Sequence, residues 1–479
     1  MKPPGVGSWA GRGLALVSLL AAASCSWTRF SDVQKNAPNV LLKQPAKLKA
    51  GFGGGVAAAS FEVTDKQGQK SLQVRLLATG SPGQWGGAVY NLGSSDQPGL
   101  DAVDTGHCSE GLCKLAAVPA ALPLAGSKGG DLQLCFVSGL MQEQLPDYPA
   151  GPTVRCEDDS DYSFAAPPEV KASVIDPAFN PNLGLDPPRL VFGTDHSDRP
   201  ALVAGVRLTM GSNIVSRAWI YPPEKFAADD TQILKPPGSS LDPGYASAVA
   251  VARLHDETRI FAVGAPGTQD GKVWLFRMDP QATTATPVGC LGGPAGFGRT
   301  LTSGIVNRDA DEDLVVADDQ NVSVFSGEAL GQLKSPASTQ CSLASLPAGA
   351  LIASFGCGQT PAITGCASSR FGASLAVGDI DGNGDGEVIV GAPDMTVRGT
   401  PNAGALLVYD VNQERPGVLS EADFISSAED GDRLGTSVTT ARIAGPRDII
   451  AAGAPGHQKV ALFYCSKLLP GDKRGPRCK

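Results

Sequence analysis

One segment pattern recurs along this chain and limits what it can fold into. Its clearest copy opens with Phe371-Gly372-Ala373-Ser374-Leu375-Ala376-Val377-Gly378 and continues through a polar loop, Asp379 to Glu387. The apolar run Val388-Ile389-Val390-Gly391-Ala392-Pro393 follows, then a loop and Gly404-Ala405-Leu406-Leu407-Val408-Tyr409. Apolar runs this short, bounded by Gly and Pro, read as strands rather than helices. Further copies start at Tyr245, Phe297 and Leu434, with Gly264-Ala265-Pro266 and Gly453-Ala454-Pro455 closing the second run in two of them. A first copy runs from Gly51-Phe52-Gly53 through Leu77–Pro82 to Gly87–Tyr90. A unit of this size cannot bury its own apolar face, so repeats must stack on one another.

Composition agrees. The chain has 59 glycines and 37 prolines in 479 residues, against roughly 7% and 5% in average usage. That excess disfavours a helical protein and suits short strands joined by tight turns. The glycines show no three-residue period, which excludes collagen. A hydrophobic content of 42% excludes a wholly disordered chain. The net charge of −9 argues against nucleic acid as a partner.

These repeats resemble FG-GAP repeats, the blades of the integrin alpha-subunit propeller. The resemblance implies an all-β fold, a β-propeller of seven blades with four antiparallel strands each, spanning residues 51–470. It is carried by residues 245–464 and 51–93. Between about 100 and 240 two further blades are expected, near 112–140 and 190–221, with an irregular Pro- and acid-rich insertion at about 141–188. Residues 471–479 read as a C-terminal tail.

The acidic loop Asp379-Ile380-Asp381-Gly382-Asn383-Gly384-Asp385-Gly386-Glu387 places oxygen-bearing side chains at alternate positions, as a hard cation requires. An EF-hand is excluded, because its twelfth position needs Glu and here is Val390. The family resemblance implies structural Ca²⁺ (Ca2+), held by the side chains of Asp379, Asp381, Asn383 and Glu387 and the carbonyl of Asp385. A weaker second site aligns at Asn307, Asp309, Asp311 and Asp313, where Ile305 replaces the first acid and Ala310 the turn glycine. Affinities on the order of 10⁻⁴–10⁻³ M are typical of extracellular modules.

At the N-terminus, Lys2 and Arg12 precede the apolar run Leu14–Ala23 and then Ala22-Ala23-Ser24-Cys25. The run is too short to span a bilayer and suits a secretory signal over 1–24. Its end resembles a bacterial lipobox, which implies cleavage before Cys25 and lipidation of that residue, with Ala22 departing from the usual Leu. Residues 25–50 then read as a polar tether. The implied localisation is the bacterial cell envelope, lipid-anchored, at the outer membrane, with the lipid as the sole membrane contact. Of eleven cysteines, ten remain after Cys25. An even set in an oxidising compartment reads as disulfides, and clustering favours Cys108–Cys113, Cys135–Cys156, Cys290–Cys341, Cys357–Cys366 and Cys465–Cys478.

Other motifs weaken in context. Gly293 to Thr300 mimics a phosphate-binding loop but coincides with the Phe297-Gly298 start of a repeat. Asp104-Thr105-Gly106 resembles an aspartic-protease triplet without its required second copy. No G-x-S-x-G elbow occurs. Trp85, Trp219 and Trp274 read as packing, and Asn321-Val322-Ser323 is a glycosylation sequon inside an expected strand. These absences favour a non-enzymatic reading, and the FG-GAP resemblance implies an envelope lipoprotein binding an extracellular or periplasmic protein or polysaccharide, in adhesion or complex assembly. The alternatives are a propeller enzyme (hydrolase or lyase) and a lectin-like propeller.

Overall fold

A computed structural model describes residues 40–44, 51–79 apart from 65–66 and 69, and 244–463 apart from 335–340, 344–345, 358–367, 398, 412–418, 427–428 and 445–446. Between 87 and 237 it describes the strands and a few flanking residues. The signal segment, Cys25, Cys108, Cys113, Cys366, Cys465, Cys478, Trp85 and Asp104 to Gly106 lie outside the described residues.

The described strands fall into seven antiparallel sheets. The first holds Gly55–Thr64, Lys70–Thr79, Gly87–Leu92 and Asp101–Val103. The second holds Lys114–Leu115, Ala120–Pro123, Leu132–Gly139, Pro152–Asp158 and Ser173–Val174. The third holds Arg189–Thr194, Leu202–Met210, Asn213–Tyr221 and Gln232–Leu234. The fourth holds Val249–Arg253, Arg259–Ala265, Gly271–Met278 and Thr286–Gly293. The fifth holds Thr300–Gly304, Asp313–Ala317, Asn321–Phe325 and Leu351–Gly356. The sixth holds Ser374–Gly378, Glu387–Ala392, Ala405–Val411 and Leu419–Ser426. The seventh holds Ser437–Ala444, Arg447–Ala454, Lys459–Phe463 and, from the other end of the chain, Val40–Lys43.

The strands Gly55–Thr64, Ala120–Pro123, Arg189–Thr194, Val249–Arg253, Thr300–Gly304, Ser374–Gly378 and Ser437–Ala444 touch one another in that order, and the last touches the first. Radial sheets whose inner strands close into a ring make a β-propeller, which leaves no long sheet edge exposed.

In the fourth to sixth sheets the second strand is buried on both faces and is therefore almost continuously apolar. Asp313–Ala317 and Glu387–Ala392 are buried at every position. The period of two then sends alternate residues to opposite interfaces. Leu314 and Val316 join Val273 and Leu275 of the fourth sheet, while Val315 and Ala317 join Val388 and Val390 of the sixth. Burying each such side chain contributes about 1.5–3 kcal/mol. Phe52, Phe297 and Phe371, at the start of their repeats, are fully buried. Phe371 meets Tyr409 edge-on at 6.4 Å, and Tyr409 stacks on Phe355 at 4.0 Å.

The structure corrects two readings. Val40–Lys43, inside the stretch read as a tether, pairs along its length with Lys459–Phe463, and Leu42 is buried against the seventh and first sheets. Residues 141–188, read as an irregular insertion, contain Pro152–Asp158, which pairs with Leu132–Gly139 as a full member of the second sheet. Polar composition misled in both cases, because strand pairing is made by backbone groups that nearly every residue supplies.

Cys290 and Cys341 form a disulfide, as their spacing suggested. Cys357 is also disulfide-bonded. The backbone register sets Cys135 directly opposite Cys156. Residues 293–300 form a turn, with Gly296 and Gly298 at positive φ, leading into a strand rather than a helix. Trp219 and Trp274 are buried, and Asn321 opens a strand.

Candidate metal centre

The loop between the first two strands of the sixth sheet turns back on itself because Gly382 and Gly384 adopt left-handed backbone, φ 78° and 95°. Asn383, between them, is a residue type that hydrogen-bonds its own turn. Asp379 organises the turn by accepting from the N–H groups of Gly382 (2.7 Å), Asn383 (3.0 Å) and Gly384 (3.1 Å). Asp381 accepts from the Asn383 backbone at 2.9 Å and from its side-chain amide at 3.2 Å. The Asn383 side-chain oxygen accepts from the N–H of Asp385 at 2.6 Å.

Folding in this way brings ligand atoms of Asp379, Asp381 and Glu387 within 4.8 Å of one another. Glu387 is fully buried. Its Oε2 accepts from the N–H of Ile380 at 2.7 Å, whereas Oε1 is buried without a hydrogen-bond partner. Burial, and then the neighbouring Asp381, push its carboxyl up to about 9. An oxygen left in this state is costly unless a cation completes its environment. The donor set is all oxygen and strongly anionic, which fits a hard divalent ion such as Ca²⁺. Asp385 turns its side chain away, to Arg308 at 3.1 Å.

Neighbouring sheets hold the loop from both sides. Gly386 donates to the Ile305 carbonyl of the fifth sheet's loop at 2.8 Å. From the seventh sheet, the Asp448 N–H donates to the Asp379 carbonyl at 2.7 Å, and the Asp448 carboxylate accepts from the Asp379 N–H at 2.9 Å. Arg442 bonds that same carboxylate at 3.0 Å. The fourth and fifth sheets repeat the exchange: Glu312 donates its N–H to the Arg253 carbonyl at 2.9 Å and accepts from the Arg253 N–H at 3.0 Å. The sequence reading missed Arg308, Arg442 and Asp448. Their only signal was position, since each lies in or beside the corresponding loop of an adjacent repeat.

The second expected loop is arranged differently. Asp313 is fully buried, but its two oxygens accept from the N–H groups of Val306 (3.1 Å) and Gly327 (3.0 Å). Asp311 accepts from the backbone N–H of His255 at 2.6 Å and faces its ring Nδ1 at 2.8 Å. Asn307 and Asp309 accept from the N–H groups of Asp309 and Asp311, at 3.2 and 3.0 Å. Among the described residues, this loop does not bring three acidic ligand atoms together as the first one does.

The family model described as "FG-GAP repeat" matches residues 371–409. No curated protein matches the chain. Solved structures similar to it include an exotype rhamnogalacturonan lyase, at 10% identity and a TM-score of 0.33, covering 88% of this chain and 91% of that one. A fucose-specific lectin from Aleuria aurantia is similar at 11% identity and a TM-score of 0.38, covering 79% and 97%. The NanB sialidase from Streptococcus pneumoniae is similar at 9% identity and a TM-score of 0.37, covering 91% and 71%. The sixth sheet, with the acidic loop that carries Asp379, Asp381 and Glu387, is thus an FG-GAP repeat within a β-propeller.

Proposed function

We propose that this chain is a calcium-stabilised, non-enzymatic propeller that binds a protein or polysaccharide partner at the bacterial envelope, tethered through lipid on Cys25. The orphaned Oε1 of buried Glu387, whose carboxylate lies close to those of Asp379 and Asp381, is the observation that supports the reading most. Asp379, Asp381, Asn383 and Glu387 would hold the ion by side chain and Asp385 by its carbonyl. The ion would neutralise clustered carboxylates and fix a loop on which the fifth and seventh sheets converge. Its role is structural, and partner binding falls to the loops at the ends of the sheets, where a rigid scaffold displays variable segments.

The test has two arms. Calorimetric titration of the full chain with Ca²⁺ should show binding that Asp381→Ala abolishes; no binding by the wild-type chain overturns the calcium reading. Pull-down from envelope extract, with Ca²⁺ and with chelator, should then recover a partner by way of the calcium-loaded protein. Turnover of generic esters or glycosides would overturn the non-enzymatic reading.

A further inference from the structure

A second cluster lies at the opposite end of the sheets from the acidic loop. The acidic loop joins the first two strands of the sixth sheet, whereas the turn Pro455–His457 follows the second strand of the seventh. Beside that turn runs the segment that enters the seventh sheet, carrying Glu429 and Asp432. The two are locked together by the main chain: Gly456 donates to the Asp432 carbonyl at 3.2 Å, and Asp432 to the Glu429 carbonyl at 3.3 Å. A Cβ on Gly456 would stand 1.6 Å from the Gly431 oxygen, so the approach requires glycine.

This packing brings ligand atoms of Glu429, Asp432 and His457 within 4.8 Å of one another. Asp432 is 1% exposed, and its Oδ2 is buried without a hydrogen-bond partner. Its Oδ1 faces His457 Nδ1 at 2.6 Å. His457 Nε2 stands 3.9 Å from Glu429 Oε2. The remaining member is Lys459, whose Nζ stands 2.6 Å from Glu429 and 3.5 Å from Asp432.

We propose that Glu429, Asp432 and His457 form a site for a borderline divalent cation of the Zn²⁺ class, for which the Lys459 ammonium competes. One imidazole nitrogen with two carboxylates favours such an ion over Ca²⁺, which prefers oxygen alone. Half-exposed Glu429 and His457 leave room for water to complete the coordination, and buried Asp432 supplies the charge that an exposed ion pair could not concentrate.

The test titrates the full, calcium-saturated chain with Zn²⁺ by calorimetry, and with Co²⁺ by visible absorption. A single Zn²⁺ site is expected. His457→Ala and Asp432→Asn should weaken it at least about tenfold, and Lys459→Met should tighten it. Asp381→Ala, in the separate acidic loop, should leave it unchanged. His457 is exposed in a surface turn, so its variant should fold even if Asp432→Asn does not. Equal Zn²⁺ binding by wild type and His457→Ala overturns the proposal, as does unchanged or weaker binding by Lys459→Met; either result marks the cluster as an ion-pair network alone. Loss of the site in Asp381→Ala would also overturn it.

Discussion

Gly453 lies so close to Gly53 that a Cβ on it would stand 1.8 Å from the Gly53 carbonyl oxygen. One residue belongs to the last sheet of the chain and the other to the approach to the first. Ser437 Oγ donates to that same oxygen at 3.0 Å. Equivalent contacts join Gly391 to Gly435 and Gly264 to Gly298, where added Cβ atoms would meet carbonyl oxygens at 2.2 and 2.0 Å. The glycine after the repeat's opening apolar residue and the glycine of the Gly-Ala-Pro turn are therefore partners across sheets, and Gly453–Gly53 is the instance that closes the ring.

Gly453→Ala should cost about 3 kcal/mol or more, because the obstacle is backbone that cannot rotate away. Gly431→Ala should cost about 1–2 kcal/mol: its φ is 74°, but nothing lies within 4 Å of the added carbon. Denaturant unfolding of both variants checks the contrast, and equal losses would refute the interlocking role.

Glu387→Gln should keep the fold within about 1 kcal/mol of the calcium-free wild type, since burial already disfavours a charged group there. It should, however, lose the rise in melting temperature that Ca²⁺ confers on the wild type. A thermal melt with Ca²⁺ and with chelator measures both effects. A wild-type melt that chelator leaves unmoved would sink this prediction.

Leu42→Ala should destabilise by about 2–5 kcal/mol, the usual range for emptying a well-packed leucine site. Leu42 is 4% exposed, in a core shared with Phe52, Ile449 and Leu462. A residue in a free tether would show no loss, so chemical denaturation separates the two roles.

Replacing Cys290 and Cys341 together by Ser should cost about 2–4 kcal/mol. The bond joins residues 51 apart, and breaking it frees that loop in the unfolded chain. Unfolding with and without reductant checks this: with reductant present, the gap between the wild type and the double variant should vanish, since the bond of Cys357 is then lost in both. A wild type indifferent to reductant would contradict this.

Much of the design is local and was legible in the residues. Buried strands such as Glu387–Ala392, the turns that end them and the alternating oxygens from Asp379 to Glu387 are each complete within a dozen residues. Their local conformation follows from spacing. The outer strands were not legible: in Leu419–Ser426 the acids Glu421 and Asp423 interrupt the apolar run, and Val40–Lys43 is too short to show a period.

Only the tertiary structure decided which groups meet. Nothing in the sequence pairs Gly453 with Gly53, sets Asp448 on Asp379, diverts Asp311 to His255, or gathers Glu429, Asp432 and His457. Each of these meetings joins adjacent sheets or residues distant in the chain. Such contacts exist only once the ring closes, because the sheets' stacked apolar faces, not any local signal, fix the distance between one sheet's loops and the next.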